Sequence, residues 1–301
     1  ISDYLLLRVR DDAFVRDNPA DREISMYSAT RYREMAAADM LESSVRADGQ
    51  YQTIPITVNL SSQDREILVD LCRPLDLDDG EKIVMAAVAY ALRNFDMPPD
   101  TFSDLANIFF EEAYHLRIVD DIVGYGLGQR PFVPESRQDH WNLVRDATNI
   151  FEYIMLEHVL YEGRGTLASA YGVHLCRSRN VSEEGVEWFA KIARQETNHG
   201  ATGFFWIERL GADFGQRIPE QSNALLRRFI EAECGDDAKG FRAKRLKFSA
   251  YLLNRYRSGA STPEIVNVIK NNVKHVMETG DVIISQDEMS AGVDALYKAV
   301  S

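Results

Sequence analysis

The sequence predicts an all-α protein, on three observations. Apolar residues recur at steps of three and four through most of the chain, the stripe of an amphipathic helix. Prolines are few, 9 in 301 residues, and Pro98 and Pro99 fall together as one stop signal. The one stretch that alternates like a strand, Tyr51 to Leu60 with Ile and Val around Pro55, is short and reads as a connecting arm.

The period places helices near residues 22–46, 62–73 and 80–95, the last on the stripe Val84, Met85, Val88 and Leu92. Pro98, Pro99, Asp100 and Thr101 stop that helix and start the next, expected over 101–124 on Leu105, Ile108, Phe109, Leu116, Val119 and Ile122. A helix over 138–163 follows from Ala147, Phe151, Met155 and His158. One over 182–210 follows from Phe189, Ile192, Ala193 and Ile207. Further helices are expected over 221–234, 237–258 and 262–279, and the short basic run Arg242 to Lys247 reads as a solvated face of the second of these.

Composition is that of an ordinary globular chain, 45% hydrophobic and 27% charged. No Pro/Gly/Ser-rich linker divides it, so one domain over 1–301 is expected, with a core over about 80–210 and extensions over 1–79 and 211–301. A formal charge of −13 repels nucleic acid and anionic membranes, so neither is an expected partner. Cys72, Cys176 and Cys234 lack metal or disulfide spacing and suit a reducing cytoplasm. The most apolar run, Ile83 to Leu92, is too short to span a bilayer. The sequence opens at Ile1 without the pattern of a secretory signal, and a cytoplasmic location is expected.

The chemistry lies in two copies of one unit, Glu112-Ala-Tyr-His115 and Glu196-Thr-Asn-His199. Three residues turn a helix by about 300°, so each carboxylate and its imidazole rise from one face, one turn apart. A single metal can touch both. Each unit lies inside the apolar stripe of its helix, so burial is expected, and a buried carboxylate must be protonated, paired or bound to a cation. Two such pairs predict two metals.

Two cations also need carboxylates from facing helices, and the economical scaffold is a four-helix bundle giving one Glu from each of two helices and one E-x-x-H from each of the others. Glu162 continues the stripe Ala147, Phe151, Met155, His158 before the second unit. Glu152 and Glu157 lie off that row, where a solvated or peripheral role is expected. Glu81 opens the stripe before the first unit; a surface acid at a helix start is its alternative. His158, four residues before Glu162, is a candidate additional ligand, or else a core histidine.

The order Glu81, Glu112 with His115, Glu162, Glu196 with His199 resembles the ferritin-like di-iron carboxylate proteins, over residues 80–210. Its spacing is similar to the oxygen-activating branch, which holds ribonucleotide reductase small subunits, bacterial monooxygenase hydroxylases, acyl desaturases and arylamine N-oxygenases. The resemblance implies two Fe ions, with a Mn/Fe pair as the alternative. It also implies that Glu112 and Glu196 bridge or ligate the metals, that His115 and His199 each bind one, and that Glu81 and Glu162 are terminal carboxylates. O2 would be the co-substrate, and an external reductase or ferredoxin the electron donor.

Departures narrow the choice of branch. Where the classical reductase subunits carry a radical tyrosine, four residues after the first motif's histidine, this chain has Val119. Where the N-oxygenases carry an extra histidine, four residues before the second motif's glutamate, it has Ile192. Gly163, Gly165, Gly200 and Gly203 beside the motifs leave either room for substrate or close helix packing. The extensions suit a substrate wall or a homodimer interface. The expectation is a ferritin-like bundle with added terminal helices whose di-iron site oxygenates a small organic substrate. N-oxygenation or desaturation is the alternative; an iron-handling protein and a radical-generating subunit are rivals of another class.

Overall fold

The computed structural model describes residues 61–75, 77–123, 137–234 and 240–301, and these are helical with no strand among them. The all-α prediction holds. The expected helix at 22–46 and arm at 51–60 lie outside the described residues.

Helix α1 (Ser62–Leu75) is capped by Ser61, whose hydroxyl accepts from the Asp64 amide at 3.0 Å. α2 (Leu77–Asn94) and α3 (Pro99–Val123) pack on each other as a hairpin, and Pro99 starts the second at a position where no amide is needed. α4 (Gln138–Arg145) is short. α5 (Ile150–Ile154) runs through a π-helical segment (Met155–Tyr161) directly into α6 (Glu162–Ser178). α7 (Glu183–Asp213) packs along α6 and the π segment. A 3-10 turn (Glu220–Ser222) leads to α8 (Asn223–Glu233), followed by α9 (Gly240–Arg257), α10 (Thr262–Thr279) and α11 (Gln286–Val300).

The single helix expected over 138–163 is two, broken at 146–149. Asn149 accepts from the Glu152 amide at 3.0 Å, and Glu152 reaches back to the Thr148 amide and hydroxyl at 2.8 Å, a reciprocal cap that restarts the chain. The restarted helix continues to Ser178 although Gly163, Gly165 and Gly172 disfavour it locally, because burial of Leu167, Ala170 and Val173 outweighs their propensity. α11 lies beyond the last expected helix. Ser285 caps it, and Met289, Val293, Leu296 and Val300 are its buried stripe.

The core is one large apolar cluster joining α2 to α11, with a smaller one between α1, α3, α6 and α7. Phe151, Phe204, Phe248 and Leu252 are fully buried in it, each stabilising the fold by about 1.5–3 kcal/mol. No helix among the described residues is long and apolar enough to cross a membrane.

Candidate metal centre

Four helical segments carry acids or imidazoles into one buried place: Glu81 near the start of α2, Glu112 and His115 in α3, Glu162 at the start of α6, and Glu196 and His199 in α7. All six are at most 5% exposed. They form two overlapping groups able to hold a cation, Glu81, Glu112, His115 and Glu196 in one and Glu112, Glu162, Glu196 and His199 in the other. Glu112 and Glu196 belong to both.

The geometry within each group is that of donors turned toward a common point. His115 Nδ1 stands 3.3 Å from Glu112 Oε2, 3.4 Å from Glu196 Oε1 and 3.5 Å from Glu81 Oε2. His199 Nδ1 stands 2.8 Å from Glu112 Oε1 and 3.7 Å from Glu162 Oε2. Glu112 thus turns one oxygen to each imidazole. At 2.8 Å, His199 Nδ1 and Glu112 Oε1 are within hydrogen-bond distance, yet neither completes one, and Glu162 Oε1 is likewise buried without a partner. Proximity without hydrogen-bond direction is what lone pairs converging on a cation produce.

The far nitrogens explain why Nδ1 faces inward. His115 Nε2 donates to Gln195 Oε1 at 3.0 Å, and His199 Nε2 donates to Glu111 Oε2 at 2.5 Å. A neutral imidazole that gives its proton away at Nε2 presents a bare lone pair at Nδ1. Lone pair against carboxylate oxygens is repulsive unless a proton or a metal lies between them. Sequence reasoning missed Glu111 and Gln195. Each is the residue before the glutamate of its own motif, and each holds the histidine of the other motif. The repeated polar residue in front of Glu112 and Glu196 was the available signal.

Electrostatics report the same crowding. Burial pushes Glu81 and Glu196 well above the usual carboxyl range, reinforced at Glu81 by the Glu112 charge and at Glu196 by the Glu162 and Glu112 charges. Burial pushes Glu112 up as well, but the hydrogen bond with Glu81 and the charges of His115 and His199 take it well below that range. Burial alone would lower both imidazoles. The charges of Glu81 and Glu112 at His115, and of Glu112 at His199, instead raise them well above the ordinary histidine value. Without a metal, then, the cluster must hold protons. Two divalent cations would cancel four carboxylate charges, and the mixed oxygen and nitrogen donors fit first-row transition metals.

His158 belongs to neither group, although it is buried with both ring nitrogens lacking partners. Burial, with the nearby His199 charge, lowers it to about 3, so it is a neutral ring facing Tyr153. Glu152 and Glu157 correct the expectation of solvated or peripheral acids, being 4% and 0% exposed. Glu152 serves the helix cap, and Glu157 lies 2.7 Å from His140 Nε2. The reason is the cover supplied by α4 and the 3-10 turn, from which His140 and Ser222 reach these acids. Of the motif glycines, only Gly165 borders the ligands: a Cβ there would stand 3.1 Å from Glu196 Oε2. Gly163 and Gly203 serve packing, against Ser249 and the His158 backbone.

Comparison of the chain with protein-family models, with curated proteins and with solved structures finds no match. Its function must therefore be sought in the residues of this site.

Proposed function

We propose that the chain is a ferritin-like di-iron protein that uses O2 to oxygenate a small organic substrate. The observation that carries this reading is Glu112, which turns one oxygen toward each of two buried imidazoles inside a ring of three further carboxylates. When bound, a pair of iron ions would supply the electrons and the coordination positions that O2 reduction needs. The chain's own part is to fix that pair. Glu81, Glu112, His115 and Glu196 would hold one ion and Glu112, Glu162, Glu196 and His199 the other. Gln195 and Glu111 keep each imidazole proton on the outer nitrogen, so that Nδ1 faces inward. Burial of all six groups keeps bulk water away from the reacting centre. Renewal of the reduced site calls for an external electron donor, a reductase or ferredoxin.

Anaerobic titration with Fe(II) followed by metal analysis tests the reading. Two irons per chain are expected, with O2 uptake limited to the bound iron until a reductant is supplied. Glu112→Ala, which removes the shared carboxylate, is expected to lose both. Continued uptake of many irons per chain would make it an iron-storage protein instead, and an unchanged stoichiometry in Glu112→Ala would sink the di-metal reading.

A further inference from the structure

Oxygenation by O2 leaves one oxygen atom in the product and the other as water, so each turnover draws two electrons from the donor and two protons from solvent. Those protons must cross a wall, because the six grouped residues are at most 5% exposed. The contacts that lead outward from the imidazoles cannot carry them. Glu111 and Gln195 each end at a histidine whose Nδ1 faces the cation, and a nitrogen bound to metal takes no proton.

Glu157 and His140 make a contact that contains no ligand. Glu157 lies one π turn before Glu162, whose amide donates to the Glu157 carbonyl. The Glu157 carboxyl is fully buried and feels the charges of Glu162 and Glu112. Its Oε2 stands 2.7 Å from His140 Nε2, while Oε1 is buried without a partner. The Tyr153 hydroxyl, four residues earlier on the same path, is also buried without a partner and feels the charges of Glu157, Glu162 and Glu112. These two groups offer hydrogen bonds to an ordered water between Glu157 and the ligands.

His140 stands at the outer end of the contact. Its ring stacks on Tyr161, centroids 3.4 Å apart and planes 12° from parallel, which fixes its direction. Its neighbours Gln138 and Asp139 are exposed, and with Asp139 it lines a cavity of about 850 Å³, room for many waters. Its Nδ1 has no protein partner. Burial, with the charges of Arg164 and Arg137, lowers His140 well below its ordinary value, whereas burial and the Glu162 charge raise Glu157 well above the carboxyl range. The carboxyl can therefore hold a proton, and the imidazole hands one on rather than trapping it.

We propose that Glu157 and His140 are a proton-carrying pair that feeds the metal centre from the outer side of α4. Glu157 gives a proton inward from Oε1. The carboxylate left behind takes the Nε2 proton of His140 at Oε2, and a proton from water replaces it at Nδ1. Only O–H and N–H bonds break and form, one proton enters for each that leaves, and the ring regains its first tautomer through solvent. The destination of these protons rests on the oxygenase reading. The pair itself does not, because neither residue belongs to the metal groups.

Infrared difference spectra of the metal-free chain, native against Glu157→Gln, isolate the Glu157 carboxyl stretch, and rapid mixing into D2O times its exchange. His140→Phe keeps a ring on Tyr161 but has no nitrogen, and is expected to slow that exchange about tenfold or more. His140→Gln, a second variant should the first not fold, keeps a donor to Glu157 but cannot relay, and is expected to do the same. In a second readout, reduced iron-loaded Glu157→Gln is expected to keep two irons per chain and to consume O2 roughly 100-fold more slowly than the native protein. No Glu157 carboxyl band, native exchange in the folded His140 variants, or a native O2 rate in Glu157→Gln would overturn the proposal. Fewer than two irons in the native chain would instead remove the oxygenase reading, and slowed exchange in the His140 variants would still show that the pair carries protons.

Discussion

At the scale of single residues, the centre is organised by which nitrogen of each histidine keeps its proton. Glu111 and Gln195 do the same task with different chemistry, a carboxylate at His199 and a neutral amide at His115. The carboxylate makes its imidazole the stronger donor, so Glu111→Gln is expected to weaken metal binding by roughly 10–100-fold. Competition against a calibrated chelator measures this, and unchanged affinity would mean that Glu111 does not orient the ring. Gly165 offers a second prediction, in which two effects have opposite signs. Alanine inside a helix gains about 0.5–1 kcal/mol over glycine, yet a Cβ at 3.1 Å from Glu196 Oε2 must displace that carboxylate. Gly165→Ala should therefore raise the melting temperature of the metal-free chain while lowering its metal affinity. Both changes in the same direction would refute the account. All six grouped residues were legible because an apolar stripe exposes any acid or imidazole set into it. Glu111 and Gln195 were not, because each lies one position ahead of its own motif's glutamate and its partner belongs to the other motif.

At the scale of elements, the path from Ile150 to Ser178 decides the geometry. Its π-helical segment ends at Tyr161, one residue before Glu162. An i→i+5 turn adds a residue to the helix and rotates every later side chain about its axis, so period alone did not foresee that Glu157 would be buried beside Glu162. The break at 146–149 was missed, although Asn149 and Glu152 stand at capping-box spacing, because the apolar period runs on across it. The stretch 164–178 was not legible, because Gly165 and Gly172 lower its propensity, with Gly163 just before it, while the contacts that outweigh them come from distant helices. α11 was not expected from the sequence, although Ser285 and the stripe Met289, Val293, Leu296 and Val300 mark it. The π segment also packs tightly against α7 at Gly203. A Cβ at Gly203 would lie 2.9 Å from both the backbone carbonyl carbon and the Cβ of His158. Backbone cannot swing aside as a side chain can, so Gly203→Ala should destabilise the fold by about 1–3 kcal/mol. Chemical denaturation reads this directly, and a neutral result would show that the helices can separate at no cost.

At the scale of the whole molecule, the six groups join parts of the chain that otherwise meet sparsely. α2 packs closely on α3 and α6 on α7, whereas α3 and α7 make few close backbone approaches to one another. Glu81, Glu112 and His115 come from the first pair of helices and Glu162, Glu196 and His199 from the second, so a cation bound among them ties the pairs together. Metal that binds only the folded chain adds stability by mass action, about 2.7 kcal/mol at a free concentration 100 times the dissociation constant. The sign with pH is set by the protons held in its absence. Glu81, Glu196, His115 and His199 all have raised pKa values, so each holds a proton more tightly than it would in water, and a metal must displace the protons that the cluster holds. Lowering the pH fills these sites further and opposes binding; raising it empties them and favours binding. Calorimetric melting with and without Fe(II) under anaerobic conditions is thus expected to show a higher melting temperature with metal. That increment should shrink as the pH falls from 8 to 6, and titration in buffers of different ionisation enthalpy should register proton release. An increment that grew toward acid, or binding without proton release, would mean that the buried cluster is not where the metal goes.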